Sequence, residues 1–386
     1  MKLEGIRVVD LSQFLPGPHL TLMMADHGAE VIKIENPLEG EPTRRIGAVK
    51  AGQTVYFRNT QRGKQSLNLN LKAEEGREIL FKLAGTADVL VESFRPGVLA
   101  RLGLGAQALR ARAPRLVYCS ISAFGQGSTL QGRPAHDLAI LSHAGLAGLS
   151  RDAEGRPVMP AMPTADILGS SMALAGILMA LLRRERTGRG DTLDISMFDS
   201  VISWTANITG RLFAEGRPPE PSHERTLGGA AFYGLYRARD GRYVSLGGSE
   251  IKFARNLLTA LGREDLIPLC EKPPGPDQAP VKAFLAATFA TRTQAEWVEW
   301  FRGQDVCFAP VRALEEVYAD PFLKERGMLL HDEQGLEHIG IPIHYAEEPG
   351  RVNFHAPAQG VHSEAILRSL GYAAPDIAAL RDKGVI

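Results

Sequence analysis

Two side chains that can perform acid–base chemistry stand out in this sequence. His136 lies in the segment GRPAHDLA, and Asp166 lies in PAMPTADILGSS at the start of a long apolar stretch. A histidine and a carboxylate on opposite sides of one carbon can each remove a proton that the other returns. The pair therefore predicts proton exchange at an acidic carbon. Either residue could instead only cap a helix, which is an ordinary role for aspartate and its neighbours.

The composition limits the classes of protein to be considered. The 386 residues include 44 Lys+Arg and 44 Asp+Glu, so the formal net charge is zero and no global field draws the chain to nucleic acid or to a membrane. Cys119, Cys270 and Cys307 are widely spaced, without the pattern of a zinc site. No signal segment precedes the first strand, and the longest apolar stretch, residues 172–182, is too short to span a bilayer. We expect a cytoplasmic protein with no metal, nucleic-acid or membrane partner.

Short β-branched runs alternate with helical patterns along the first 125 residues, which predicts a Rossmann-like α/β domain with a parallel sheet. The predicted strands are IRVVDLS, EVIKIEN, SLNLNL, DVLVESF and RLVYCSIS, and the helices between them are HLTLMMADHG, AEEGREILFKLAG and LGAQALRARA. Asp166 begins a long helix that ends at Gly188 and precedes the strand TLDISM. Glu35 ends the second strand, where NAD enzymes place a ribose-binding acid. The first turn is LPGPH rather than GxGxxG, so NAD is not expected.

A passage rich in proline and charge, residues 216–226, predicts a linker between two domains. Residues 1–215 are expected to form the large Rossmann-like domain, and residues 227–320 a smaller α+β domain. That domain opens with a hairpin that turns at Asp240-Gly241 and continues with two helices. Residues 321–386 contain a second irregular passage, a return linker, followed by two short helices.

Ordered segments along nearly the whole chain resemble the class III coenzyme A transferases. These segments are LEGIRVVDLSQFLPGP, GAEVIKIENP, GKQSLNLNLK, ADVLVESFRPGVLARLGLG, PRLVYCSISAFGQ, ERTGRGDTLDISMFDS and SEAILRSLGY. The resemblance implies an interlocked homodimer of ring-like chains, with both chain ends in the large domain. The family contains two chemistries, CoA transfer between an acyl-CoA and a carboxylic acid, and racemisation of 2-methylacyl-CoA thioesters.

The resemblance also implies roles for individual residues. The carboxylate at the position of Asp166 is a nucleophile in transferases, where it forms an acyl anhydride and then a thioester, and a base in racemases. Transferases typically carry tyrosine at the position of His136, whereas racemases carry histidine followed by aspartate, as here. Glu250 matches a glutamate that hydrogen-bonds the catalytic histidine, from the same chain or its partner. Helix N-terminal amides beside Asp166 or near Gly145 are candidate donors to an enolate oxygen.

We therefore expect an enzyme of the alpha-methylacyl-CoA racemase-like branch, with an acyl-CoA as substrate. A CoA transferase that uses Asp166 as its nucleophile is the alternative, and an inactive acyl-CoA-binding protein is a second alternative. The segment GAVKAGQTVYFRNTQRG favours the transferase branch, because it is longer than the corresponding segment of racemases.

Coenzyme A, as part of the substrate, is the only cofactor group that the resemblance implies. Its phosphates require cations and backbone donors near the carboxyl ends of the strands. The positions that match the family's CoA site are Leu15, Pro16, Asn36, Lys72, Phe94, Arg95 and Arg101. Arg95 and Arg101 are the strongest phosphate candidates. Asn36 departs from relatives that carry arginine at this position.

Overall fold

The computed structural model describes residues 1–152 and 154–386, and the strands are all short. They are β1 (Arg7–Asp10), β2 (Glu30–Glu35), β3 (Val49–Lys50), β4 (Gln53–Thr54), β5 (Gln65–Asn68), β6 (Val89–Glu92), β7 (Val117–Ser122), β8 (Thr192–Ser196), β9 (Tyr233–Arg237), β10 (Tyr243–Gly247), β11 (Phe308–Pro310), β12 (Leu329–His331) and β13 (Glu337–Ile339).

The helices vary from one turn to 24 residues in length. They are α1 (Pro16–Asp26), α2 (Val55–Gln61), α3 (Glu74–Thr86), α4 (Val98–Arg101), α5 (Ala106–Arg112), α6 (Asp137–His143), α7 (Thr164–Thr187), α8 (Met197–Ser203), α9 (Gly210–Glu215), α10 (Ile251–Ala260), α11 (Ile267–Cys270), α12 (Ala279–Phe289), α13 (Gln294–Trp300), α14 (Leu314–Tyr318), α15 (Pro321–Glu325), α16 (Ser363–Ser369) and α17 (Ala374–Asp382).

The chain divides into two compact units. The large unit contains Met1–Ala144, Met162–Ser203 and Asp320–Ile386, and the small unit contains Gly145–Ala161 and Trp204–Ala319. The large unit is thus built from both ends of the chain. The predicted linker, residues 216–226, contributes two 3₁₀ helices to the small unit, Pro221–His223 and Arg225–Leu227.

A six-stranded parallel sheet is the framework of the large unit. Its strands lie in the order β5-β2-β1-β6-β7-β8, and each neighbouring pair is parallel. The order starts from β1 and runs outward in both directions, as in a Rossmann fold. Strands β6 and β7 are buried along their whole length, as expected for strands covered by helices on both faces. The predicted α/β class and its parallel sheet are confirmed.

The helix after β1 begins earlier than predicted. The pattern HLTLMMADHG placed its start near His19, whereas α1 begins at Pro16. Pro16 and Pro18 lie in the first turn, where a missing backbone N–H breaks no helical hydrogen bond. Gly17, between the two prolines, packs so closely on Ser12 that an added Cβ would lie 2.1 Å from the Ser12 Cβ. The loop between β1 and α1 is therefore tightly folded.

Helix α7 contradicts the prediction that no apolar segment is long enough to span a bilayer. Its 24 residues could cross a membrane by length and composition, although only a third of its most apolar window is buried. One such helix does not identify a membrane protein, because core helices of soluble proteins pass the same test. Within the large unit, α7 packs against α1, α6, α8, β7 and β8, and it ends at Gly188 with φ of 67°.

The small unit has its own core beneath a three-stranded sheet of order β11-β10-β9. Strands β9 and β10 form the predicted antiparallel hairpin, and Gly241 at its turn has φ of 82°. The core is rich in aromatic rings, and the indole of the buried Trp297 donates to the Phe289 carbonyl at 2.8 Å. Helices α10 and α12 correspond to the two helices predicted after the hairpin.

Candidate active site

The carboxylate of Asp137 connects the starts of two helices that carry the candidate acid–base residues. His136 is the N-cap residue of α6, and Asp166 is the third residue of α7. Asp137 Oδ1 accepts hydrogen bonds from the backbone N–H of Ala165 at 2.5 Å and of Asp166 at 3.2 Å. Asp137 is the first residue of α6, yet its side chain caps α7 rather than its own helix. The residue directly after His136 is thus hydrogen-bonded to the backbone of Asp166.

The same contact corrects a prediction about the enolate-binding donors. The amides beside Asp166 were candidate donors, but those of Ala165 and Asp166 are bonded to Asp137. The amides on either side are also used, because Thr164 donates to the Met162 carbonyl and Ile167 to that of Pro163. The first turn of α7 therefore has no amide left for a substrate oxygen.

The carboxyl group of Asp166 is an unusually weak acid. Burial and, secondly, the negative charge of Asp137 raise its pKa from 3.8 to about 7. Both causes disfavour the charged form. At neutral pH the group is therefore divided between carboxylate and carboxylic acid, and its pKa is close to the ordinary 6.5 of an imidazole.

The imidazole of His136 is exposed and contacts the loop between β1 and α1. The ring of Phe14 meets it edge to face, with 5.7 Å between the ring centroids and 84° between the planes. Within the described part of the large unit, no hydrogen bond restrains the His136 ring. Phe14 itself has φ of 63°, a left-handed conformation that costs a residue with a side chain about 1–2 kcal/mol.

Buried ion pairs lie beneath the loop between β1 and α1. Asp10, at the end of β1, accepts from Thr21 Oγ1 at 2.6 Å and lies 3.3 Å from Lys64 Nζ and 3.7 Å from Lys33 Nζ. Lys33 also pairs with Glu41 at 3.0 Å. Burial opposes ionisation of Asp10, but the two lysines, together with hydrogen bonds from Ser12 and Thr21, outweigh it and lower its pKa to about 2. The carboxylate is therefore a fixed anion with a structural role.

The predicted CoA-binding residues all follow strands of the large sheet. Leu15 and Pro16 follow β1, Asn36 follows β2, Lys72 follows β5, and the others follow β6. Because the strands are parallel, their carboxyl ends lie along one edge, where Rossmann-like folds bind their ligands. The sheet thus brings these positions to one edge.

The three cations at this edge are exposed, whereas other predicted residues have local roles. Lys72, Arg95 and Arg101 are exposed. The guanidinium of Arg101 folds back over Gly97, 3.1 Å from where a Cβ would lie. The Asn36 side chain accepts from the Leu38 N–H at 2.9 Å and stabilises a turn.

Phe94 packs partly buried on the core of the large unit. Glu250 lies in the small unit, where it is exposed and is the N-cap residue of α10. The structure of each unit by itself does not bring Glu250 and His136 together, and the role of Glu250 stays a prediction.

Glu35, at the position of a ribose-binding acid, is used within the protein. Its carboxylate accepts from Arg44 Nη2 and Ser66 Oγ, both at 2.6 Å, and from the Glu41 N–H at 2.8 Å. Burial acts against ionisation, yet these donors lower its pKa. The acid is therefore a structural anion that fixes the segment after β2.

Sequence reasoning missed two aromatic residues near the acid–base pair. Phe14 has no sequence motif of its own, and only its backbone conformation distinguishes it. Tyr56 lies on α2, in the long segment before β5, and burial followed by the charges of Asp166 and Glu41 raises its pKa to about 12. The influence of Asp166 on Tyr56 shows that α2 reaches the neighbourhood of that carboxyl group.

A parallel α/β sheet with candidate CoA-binding residues along its carboxyl edge defines the class of this protein. The chain belongs to the CoA-transferase family III, whose family model matches residues 3–363. The predicted family is confirmed.

Relatives with both chemistries are similar to this chain. The alpha-methylacyl-CoA racemase of Homo sapiens is 34% identical over 395 residues, covering 100% of this chain and 98% of the relative. The succinyl-CoA:glutarate CoA-transferase of Mus musculus is 28% identical over 394 residues, covering 100% and 90%. Among solved structures, a CAIB/BAIF family protein from Brucella suis has a TM-score of 0.80 at 29% identity, covering 95% and 99%.

Proposed function

We propose that this protein is an acyl-CoA racemase or epimerase that exchanges the alpha proton of a 2-methylacyl-CoA thioester. One observation carries the proposal. The carboxyl group of Asp166 has a pKa of about 7, and the backbone N–H of Asp166 is hydrogen-bonded to Asp137, the residue that follows His136. Efficient general acid–base catalysis needs groups whose pKa values lie near the working pH. A carboxyl group whose pKa lies near neutrality can act as the acid in one direction and as the base in the other.

The reaction follows from these two groups. In one direction, neutral His136 removes the alpha proton from one face, and protonated Asp166 donates a proton to the other face of the enolate. In the reverse direction, the Asp166 carboxylate is the base and the imidazolium of His136 is the acid. Each turnover leaves the pair in the protonation state that the opposite enantiomer requires. A donor to the enolate oxygen must come from outside the first turn of α7, and the region of Gly145 remains the expected place.

The exposed cations at the carboxyl edge of the sheet support binding of the CoA phosphates. Arg95 and Arg101 follow β6, and Lys72 follows β5. Phosphate groups form charge-assisted hydrogen bonds with such side chains. The thioester end of the substrate would then extend toward the loop of Phe14, which contacts His136.

The homodimer is also part of the proposal. Helix α7 exposes a row of apolar side chains, with Leu178 40%, Met179 66% and Leu182 67% exposed. A row of this kind on one helix favours an interface. We expect sedimentation to give twice the 41.9 kDa mass of the chain. In the dimer, Glu250 of one chain would hydrogen-bond and orient the His136 imidazole of the other chain.

A second candidate is a CoA transferase in which Asp166 attacks the acyl group. The observation in its favour is the long segment with β3, β4 and α2, which brings Tyr56 near Asp166. The raised pKa of Asp166 favours the racemase over this candidate, because a nucleophile acts only as the carboxylate, whereas the proposed exchange uses both the carboxylate and the carboxylic acid.

The decisive experiment follows a single enantiomer of a 2-methylacyl-CoA in deuterated water. We expect alpha-deuterium incorporation together with loss of enantiomeric purity. His136→Ala should reduce racemisation by about a hundredfold or more, and any remaining exchange should occur with one enantiomer only. His143→Ala on the same helix is the matched control, because its ring packs with Phe124 and Phe198. Absence of exchange, with an acyl group trapped on Asp166 by hydroxylamine, would establish the transferase instead.

A further inference from the structure

Phe14 has a backbone conformation that its side chain does not favour. Its φ is 63°, and among the described residues only two others that are not glycine, Ala51 and Glu348, have positive φ. Left-handed backbone is rare for bulky residues and persists only where the surroundings enforce it. The surroundings of Phe14 must therefore hold its backbone in place.

A buried carboxylate holds the backbone of Phe14. Its N–H donates to Glu41 Oε1 at 3.0 Å, and the same oxygen accepts from the N–H and the hydroxyl of Thr43. Glu41 is 1% exposed and pairs with Lys33, which is 2% exposed. On the other side of Phe14, the Gln13 N–H donates to Ser93 Oγ at 3.0 Å. The loop is thus fixed at two successive amides.

The ring of Phe14 contacts the imidazole of His136, the candidate base. Although phenylalanine is normally buried, Phe14 is 37% exposed, and its ring meets the His136 imidazole edge to face. Such ring pairs have a preferred geometry and restrict rotation of the partner. Within the described large unit this is the contact that restrains the imidazole, whose own backbone is fixed as the N-cap of α6.

We propose that Phe14, held in a left-handed conformation by Glu41, is a positioning residue that orients the imidazole of His136. The functional part of this inference rests on the proposed proton exchange. Because the ring acts through the orientation of the catalytic imidazole, its loss should lower kcat by a larger factor than it raises KM.

The test compares two glycine variants that relieve the same backbone strain. Phe14→Gly removes the ring, and Ala51→Gly changes an exposed residue of the β3–β4 turn with φ of 52°. Both variants should fold, because glycine adopts positive φ freely. We expect Phe14→Gly to lower kcat for alpha-proton exchange by about tenfold to a hundredfold. Ala51→Gly should retain wild-type kcat, and Phe14→Tyr, which keeps the ring, should restore most of the loss.

A second readout does not depend on activity. The χ1 rotamer of His136, measured by three-bond couplings on resonances assigned with His136→Gln, should be single in the wild type and in Ala51→Gly and averaged in Phe14→Gly. A single His136 rotamer in Phe14→Gly, or wild-type kcat in that variant, would overturn the positioning role. Failure of the proposed function looks different, because the wild-type protein would then catalyse no exchange while the His136 rotamer still became averaged in Phe14→Gly.

Discussion

Replacing Asp137 by asparagine isolates the electrostatic part of the Asp166 environment. Asparagine keeps an oxygen that can accept from the Ala165 and Asp166 amides, but it removes the negative charge. Burial is the larger of the two causes that raise the Asp166 pKa from 3.8 to about 7, and Asp137 is the second. We therefore expect Asp137→Asn to lower that pKa by about one pH unit, which corresponds to about 1.4 kcal/mol.

Exchange of the two enantiomers at neutral pH should change in opposite directions in Asp137→Asn, rising for one enantiomer and falling for the other. When Asp166 acts as the base, exchange requires its carboxylate, so the acidic limb of the kcat/KM profile should move to lower pH in Asp137→Asn. When Asp166 acts as the acid, exchange requires its protonated form, so the alkaline limb should move to lower pH and activity at neutral pH should fall. The assay is alpha-deuterium incorporation from each pure enantiomer between pH 5 and 9.

A control separates charge from capping. Asp137→Ala removes the charge and also both hydrogen bonds to α7, so it should cost about 1–2 kcal/mol of folding stability that Asp137→Asn retains. The reasoning is refuted if the two enantiomers give pH profiles that do not move in Asp137→Asn, or that move toward higher pH. Either result would mean that the Asp137 charge does not act on Asp166.

Two further predictions concern Gly97, at the carboxyl edge of the parallel sheet, and the buried Asp10. Gly97→Ala should raise Kd for acyl-CoA about fivefold, roughly 1 kcal/mol, and leave kcat unchanged, since Gly97 has φ of 81° and a Cβ would displace the Arg101 guanidinium; unchanged affinity by calorimetry would contradict this. Asp10, with its pKa lowered to about 2, should contribute roughly 2 kcal/mol above pH 4 that is lost as the pH falls toward 2. The difference in free energy of unfolding between wild type and Asp10→Asn should therefore shrink over that window, and a constant difference would count against the assignment.

The parallel sheet could be predicted because its strands are short β-branched runs separated by helical patterns and turns. Such runs as VVD in β1 and VLVE in β6 are buried on both faces, and their composition reports that burial directly. The long helix that begins near Asp166 was equally visible, because Gly188 marks its end. Local patterns of this kind do not depend on distant contacts.

The contacts around the site could not be predicted, because they join residues far apart in the sequence. Asp137 lies next to His136 in the sequence, but its acceptance of the Asp166 amide depends on how α6 packs on α7. Phe14 carries no motif, and its conformation depends on Glu41, which is 27 residues away. The long segment before β5 suggested only a family branch, whereas the structure places its Tyr56 within the electrostatic influence of Asp166.

The way in which residues 360–385 cover the edge strand β5 has a consequence for synthesis on the ribosome. The N–H groups of Ser66 and Asn68 donate to His362 and Ser363, and the Asn70 N–H donates to the Val385 carbonyl. The side chains of Leu367 and Val385 also belong to the core of the large unit. A nascent chain can therefore complete the small unit first, while an open sheet edge waits for residues 360–385 to be synthesised and to leave the exit tunnel. During that interval β5 is exposed to pairing with other chains, so the protein is most vulnerable to misassembly after its small unit has formed and before these residues have emerged.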